Sequence, residues 1–328
     1  MLVAPDSFKG TFRAAQVAGA IGRGLERAGL MPPDLLPLAD GGDGTLDALL
    51  VNLGGETTSL RVLDPLGREI EAGYGLVEDG GTALIEMAAA SGLSLVAEDE
   101  RDAWAASTYG TGQLIADAAA RGAQVILVAV GGSATTDGGA GALEAIAEAG
   151  GLRHSKIVVL SDVQTPWERC AEVFGPQKGA GPEMVKRLAE RLDALAETLP
   201  KDPRGVPMTG AAGGLSGGLW AAHGATLEAG APWILDALDF DARMRAARAV
   251  VTGEGKLDDQ TLQGKLVGEI GTRTRQAGVP LHAIVGTDAL DAFGKRMIDL
   301  QVVAEATTLD EIEAAAEDLG SRLATGEA

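Results

Sequence analysis

Short, predominantly apolar runs recur along this chain at 2–4, 125–130, 156–160, 249–252, 281–285 and 300–304, with a weaker one at 34–38. Such runs, without alternation, are what a strand covered on both faces requires. The segments between them instead repeat their apolar positions every three or four residues. Val17, Ile21 and Leu25 share one face, as do Leu46, Leu49 and Leu50, and Leu114, Ile115 and Ala118 within 109–121. After Pro182 the same spacing links Met184, Leu188, Leu192, Leu195 and Leu199. Each is an amphipathic helix. A helix over 233–247 and a closing one opened by the capping box Thr308-Leu309-Asp310-Glu311 complete the set.

The pattern changes between Thr57 and Met87. There 59–63, 69–77 and 82–86 read as successive strands joined by Asp64-Pro65-Leu66-Gly67 and Glu78-Asp79-Gly80-Gly81. Turns so short impose antiparallel pairing. Strand–helix alternation then resumes and becomes strict over the last hundred or so residues. The economical architecture is α/β with two domains. Residues 1–56 and 228–328 form a doubly wound, Rossmann- or flavodoxin-like parallel sheet from both ends of the chain. Residues 57–227 are inserted as a mixed α/β domain, and the active site is expected in the cleft between the two.

Composition bears on chemistry more than on fold. Of 328 residues 46% are hydrophobic but only 3% aromatic, so Ala, Val and Leu must fill closely packed layers. A formal charge of −20 argues against nucleic acid, whose phosphates would be repelled. Cys170 is the lone cysteine, and His154, His223 and His282 lack the spacing of zinc ligands. No stretch approaches the roughly 18 apolar residues of a membrane helix, and the opening Met1-Leu2-Val3-Ala4-Pro5 is already strand-like. The expected location is the cytoplasm, as a monomer or homodimer.

The chemistry concentrates where strands end. Gly131-Gly132-Ser133-Ala134-Thr135-Thr136-Asp137-Gly138-Gly139-Ala140-Gly141 joins the 125–130 strand to a helix. Glycines there permit close approach of a ligand, and a helix N-terminus favours an anion. Asp6-Ser7-Phe8-Lys9-Gly10-Thr11 and Ala39-Asp40-Gly41-Gly42-Asp43-Gly44-Thr45 occupy equivalent strand exits, as does the loop 253–261 with Glu254 and Asp258. The usual nucleotide fingerprints are missing: no G-x-x-x-x-G-K-[S/T] and no G-x-G-x-x-G. What remains, backbone donors and lysines for phosphate oxygens with carboxylates for a metal and a hydroxyl, is the equipment of phosphoryl transfer.

Six blocks in order also resemble one family. Ala4-Pro5-Asp6-Ser7-Phe8-Lys9-Gly10, Ala39 to Thr45, Thr108-Tyr109-Gly110-Thr111-Gly112, Gly131 to Thr135, Phe174-Gly175-Pro176-Gln177-Lys178-Gly179-Ala180 and Thr252-Gly253-Glu254-Gly255 are similar to the motifs of the type-1 glycerate kinases. The resemblance runs across nearly the whole chain. It implies ATP- and Mg2+-dependent phosphorylation of D-glycerate, with 2-phosphoglycerate as the favoured product. The chain departs from the family pattern over about 150–172, where the segment is shortened and Gln164-Thr165-Pro166-Trp167 stands in place of Asn-Pro and a glycine loop. A kinase of another small hydroxy acid, or a non-catalytic small-molecule binder, are the alternatives that this departure leaves open.

Residue roles follow from position. Asp40 and Asp162 are the candidates to orient or deprotonate the acceptor hydroxyl, with Lys9 as catalytic cation. Asp6, Ser7, Gly41, Gly42, Gly131, Gly132, Ser133, Thr135 and Lys178 are expected to bind substrate or phosphate. Asp43, Asp137, Glu254 and Asp258 are candidate metal ligands.

Overall fold

The computed structural model describes residues 1–8, 10–42 and 44–326. In chain order it runs β1 (Leu2–Val3), α1 (Ala14–Arg27), β2 (Asp34–Leu35), α2 (Thr45–Leu53), β3 (Glu56–Leu63), β4 (Glu69–Val77), β5 (Thr82–Glu86) and α3 (Ala88–Ser91). There follow α4 (Tyr109–Arg121), β6 (Val125–Ala129), α5 (Ala140–Glu148), β7 (Lys156–Ser161), α6 (Cys170–Phe174), α7 (Pro182–Ala196), α8 (Leu215–His223) and β8 (Thr226–Ala229). The chain continues through α9 (Gly230–Ala237), α10 (Phe240–Ala246), β9 (Val250–Thr252), β10 (Lys256–Leu257) and α11 (Leu266–Ala277). It ends in β11 (Leu281–Val285), β12 (Thr287–Asp288), α12 (Ala292–Met297), β13 (Leu300–Glu305) and α13 (Leu309–Thr325). Two compact units result: one from Met1–Asp40, Asp47–Leu53 and Ala231 onward, the other from Gly41–Leu46 and Gly54–Gly230. Among the described residues no helix is long and apolar enough to cross a membrane.

The first unit is built on a parallel sheet in the order β13-β11-β9-β1-β2. Both faces of β11 are covered, which is why its five residues are all buried. Ile284 packs with Val17, Ile21, Ile312 and Ala316 on one side, while Ala283 and Val285 meet Leu257, Val267 and Ile298 on the other. Helices α1 and α13 cross with almost no room between them. A Cβ on Gly24 would lie 2.2 Å from the Glu313 carbonyl, and Arg23 and Arg27 clamp the Glu313 carboxylate at 2.7 and 2.6 Å.

Three elements of this unit differ from the sequence expectation. The strand anticipated at 34–38 is β2, only Asp34–Leu35. Leu36 and Leu38 still donate to Val3 and Pro5, but Pro5 and Pro37 have no N–H to return, so the ladder stops. The single helix expected over 233–247 is instead α9 and α10, split where Asp239 turns left-handed at φ 52°. Arg273 holds the two pieces through Asp236 at 2.5 Å and Asp241 at 3.3 Å. Thr287–Asp288, where no strand was expected, form β12, paired with β10.

The second unit carries a six-stranded sheet, β3-β4-β5-β6-β7-β8. Its β3–β4–β5 part is an antiparallel meander and β5 to β8 run parallel, as the change of pattern near Met87 requires. Strand β8 was not expected. It is a partly exposed edge segment, Thr226–Ala229, whose composition carries no two-residue period. Val128, Ile126, Leu114, Ile146 and Leu215 form the centre of this unit's core.

Candidate active site

In the first unit the strand order reverses between β1 and β9. From β1 the chain moves outward to β2, and from β9 it moves the other way to β11 and β13. In open α/β sheets that reversal opens a crevice beyond the carboxyl ends of the strands. A cavity of about 450 Å³ lies there. The exit of β1 contributes Asp6, Ser7, Phe8 and Thr11 to its wall, and Asp40 comes from the segment after β2. The loop after β9 adds Glu254, Gly255, Lys256, Asp258, Gln260 and Lys265, while Gly286, Thr287 and Thr307 follow β11 and β13.

Backbone bonds hold the mouth of the cavity in shape. The Asp6 amide donates to the Gly253 carbonyl at 2.8 Å and Thr252 Oγ1 to the Ala4 carbonyl at 2.8 Å, tying β1 to β9. Ser7 N donates to Asp6 Oδ1 at 2.6 Å. Glu254 Oε1 accepts from Thr261 Oγ1 at 2.7 Å. Asp6, Asp40 and Glu254 are only 5%, 1% and 8% exposed, so three carboxylates stand at the wall in poorly hydrated surroundings. Burial disfavours the charge on Asp258, yet the Lys256 ammonium at 3.1 Å and the Gln260 amide outweigh it and hold its carboxyl below the usual range. Lys265 Nζ donates to Gln260 Oε1 at 3.0 Å.

The expected site residues thus separate. Asp6, Ser7, Asp40, Glu254 and Asp258 are gathered into this cavity. Lys9 and Asp43 lie outside the described residues. Gly41, Gly42, Gly131, Gly132, Ser133, Thr135, Asp137, Asp162 and Lys178 belong to the second unit. Lys256, Lys265, Thr287 and Thr307 were not singled out from sequence, although Lys256, Thr287 and Thr307 follow shortly after β9, β11 and β13, and Lys265 directly precedes α11. Their one legible signal was that position.

In the second unit, residues 131–141 are a packed crossing and not the open cradle that their glycines suggest. Gly132 and Ala140 are exposed towards its two ends, while Ser133 to Thr136 between them are buried. The 211–214 turn closes over them so tightly that a Cβ on Gly213 would sit 2.0 Å from the Thr135 carbonyl. Lys178, expected on an anion, is 1% exposed and donates to Ser133 Oγ at 2.8 Å and to the Thr135 carbonyl. Burial brings its pKa down to about 8. Asp137, expected on a metal, accepts from Thr108 N and Oγ1 at 2.9 and 2.8 Å and from Gly139 N and Gly141 N at 3.0 and 3.2 Å. Those four donors make it a brace between the start of α4 and the start of α5. Gly41, at φ +93°, passes Gly230 closely enough that a Cβ would lie 2.8 Å from its Cα, while Asp162 stands half-buried at the end of β7. Among the described residues no group of three or more His, Cys, Asp or Glu side chains could hold a metal ion.

A parallel-sheet unit with buried carboxylates and lysines at its switch point is suited to a small-molecule phosphotransferase. The model of the glycerate kinase family matches residues 1–150 and 149–325, and the chain belongs to that family. It is therefore a kinase that transfers a phosphoryl group to an alcohol. The chain is 39% identical over 325 residues to a glycerate kinase of Halalkalibacterium halodurans, covering 88% of this chain and 85% of that one. It is 35% identical over 354 residues to the glycerate 2-kinase of Escherichia coli K12, covering 95% and 92%. Its fold is similar to a crystal structure of a provisionally named glycerate kinase 2 from Salmonella typhimurium LT2. The TM-score is 0.85 at 33% identity, over 99% of this chain and 98% of that one.

Proposed function

We propose that this protein transfers the γ-phosphoryl group of ATP to the 2-hydroxyl of D-glycerate, with Mg2+. Asp6, Asp40, Glu254, Lys256 and Lys265 around one cavity are the observation that carries this reading. Phosphoryl transfer asks little covalent chemistry of the protein and much positioning. Asp40 orients the acceptor hydroxyl and takes its proton as that oxygen bonds to phosphorus and the bridging oxygen leaves on ADP. Lys256 and Lys265, with Lys9 next to Phe8 in the chain, attract phosphate oxygens or the glycerate carboxylate. Mg2+ commonly keeps only one or two protein carboxylates beside substrate phosphates, so Glu254 and Asp258 suffice to hold it. When bound it neutralises phosphate charge. Asp137 has too many protein donors for that task.

The test is ADP release measured with and without D-glycerate, in Mg2+ and after chelation, followed by phosphorus NMR of the product. Release that depends on D-glycerate and Mg2+ and yields the 2-phosphate is the expected result. ADP release indifferent to D-glycerate, or a 3-phosphate product, would overturn the corresponding part. Asp40→Ala should abolish turnover while leaving circular dichroism unchanged.

A further inference from the structure

The loop from Gly253 to Thr261 lines the cavity, yet it is pinned along its whole length. Gly286 N donates to the Glu254 carbonyl at 3.0 Å, Thr287 N to Gly255 at 3.1 Å and Ala289 N to Leu257 at 2.8 Å. No side chain fits at these crossings. A Cβ on Gly253 would come within 2.2 Å of the Ile284 carbonyl, and one on Gly286 within 2.5 Å of Gly255. The loop closes at Thr261, which is 0% exposed, and a Cβ on Gly268 of α11 would lie 2.1 Å from its carbonyl. Its hydroxyl accepts from Asp258 N at 3.2 Å and spends its one proton on Glu254 Oε1 at 2.7 Å. The donor is thus fixed in place by the backbone on both sides, and it aims at a carboxylate in the cavity wall.

We infer that Thr261 is a positioning residue of the phosphoryl-transfer reaction, acting by fixing the orientation of the Glu254 carboxylate. A buried carboxylate whose rotamer is free would spend much of its time in unproductive orientations, and a donor that does not move removes that freedom. A hydrogen bond to a charged group is among the stronger of its kind. The inference rests on the reading of this cavity as the site of phosphoryl transfer. Thr261 touches no reacting atom in this account.

The experiment compares wild type, Thr261→Val, Thr261→Ser, Glu254→Gln and the double variant Thr261→Val/Glu254→Gln. Valine keeps the shape and removes the donor. Thr261→Val should lower kcat by about 10- to 100-fold with little change in KM, and Thr261→Ser should recover most of it. On the Glu254→Gln background, Thr261→Val should cost little more, because the carboxylate it orients is gone. A loss that adds in full to that of Glu254→Gln, or is matched by Thr261→Ser, would reduce Thr261 to a packing residue. Wild-type kcat in Thr261→Val with an impaired Glu254→Gln would overturn the inference alone. Wild-type turnover in Glu254→Gln would instead remove the reading of the cavity. Should Thr261→Val not fold by its thermal unfolding profile, Thr261→Ala is read in the same way.

Discussion

Lys178 Nζ donates a 2.8 Å hydrogen bond to Ser133 Oγ inside the second unit, where the lysine is 1% exposed. A buried ammonium costs free energy, which its hydrogen bonds and the charge of Asp137 offset in part. Its other acceptor is the Thr135 carbonyl, so both bonds go to the turn between β6 and α5. The lysine fixes that turn from within.

A pH dependence follows. Burial holds the pKa of Lys178 at about 8 in the folded chain, against 10.5 for an ordinary lysine. The unfolded chain therefore binds the proton more tightly between those values. The cost of the buried charge is present in full below about pH 8 and disappears as pH rises through 10.5. Wild type should gain about 3 kcal/mol relative to Lys178→Met across that window. Urea unfolding of both proteins at intervals from neutral to alkaline pH measures the difference. Parallel stability curves would show that the ammonium is not held as described.

His282 presents the acid counterpart in the first unit. It lies in β11 at 0% exposure, and neither ring nitrogen has a hydrogen-bond partner. Burial, aided by the charge of Arg322, brings its pKa down to about 4 from 6.5. Protonation is then open to the unfolded chain first, so stability falls as pH drops from 6.5 towards 4. His282→Leu removes two unpaired buried nitrogens as well as the titration. It should raise the melting temperature at neutral pH and flatten the decline over that acid range, by about 3 kcal/mol at its foot. A lower melting temperature at neutral pH would mean that the ring fills space leucine cannot.

The crossing of α1 and α13 sets one helix glycine against another. Alanine is intrinsically the better helix former by about 1 kcal/mol. At Gly19, where a Cβ would meet only Arg23 Nη1 at 3.5 Å, substitution should deliver part of that gain. At Gly24 the same Cβ would lie 2.2 Å from the Glu313 carbonyl and 2.6 Å from the Ala316 Cβ, so the helices must part. Gly24→Ala should cost about 1–3 kcal/mol of stability. Thermal unfolding of the two variants side by side separates them, and equal melting temperatures would rule out the close crossing.

How much of this could be read from sequence depends on where the determining contacts lie. The α/β class was legible because strands such as Leu281–Val285 and helices such as Tyr109–Arg121 declare themselves by local pattern. Asp6, Ser7, Asp40, Glu254 and Asp258 could be singled out because strand exits in a parallel sheet converge. The surroundings of the turn at 131–141 were not legible, for a physical reason. Its glycines and hydroxyls look the same whether they face a ligand or another loop. The residues that cover them, 211–214, are remote in sequence. Thr261 was equally silent, since its significance is one hydrogen bond across seven residues of loop. The β10–β12 pairing and the split at Asp239 depend likewise on tertiary partners.

Asp137 allows the two views of the 131–141 turn to be tested directly. If it held Mg2+, its carboxylate would need lone pairs directed at the ion. In the structure its two oxygens accept four hydrogen bonds, two of them from Thr108 and two from the glycines that open α5. Asparagine would set an NH2 group against some of those N–H and O–H donors, leaving buried groups unsatisfied and donors facing one another. Asp137→Asn should therefore lower stability by about 2–4 kcal/mol, while Asp137→Ala should do at least as much by removing all the acceptors. In whatever fraction remains folded, the Mg2+ concentration for half-maximal activity should be unchanged. Thermal unfolding and a Mg2+ titration on the same preparation decide the matter. A stable variant with a displaced Mg2+ requirement would return Asp137 to the metal, and an unstable one with an ordinary requirement keeps it as the brace between α4 and α5.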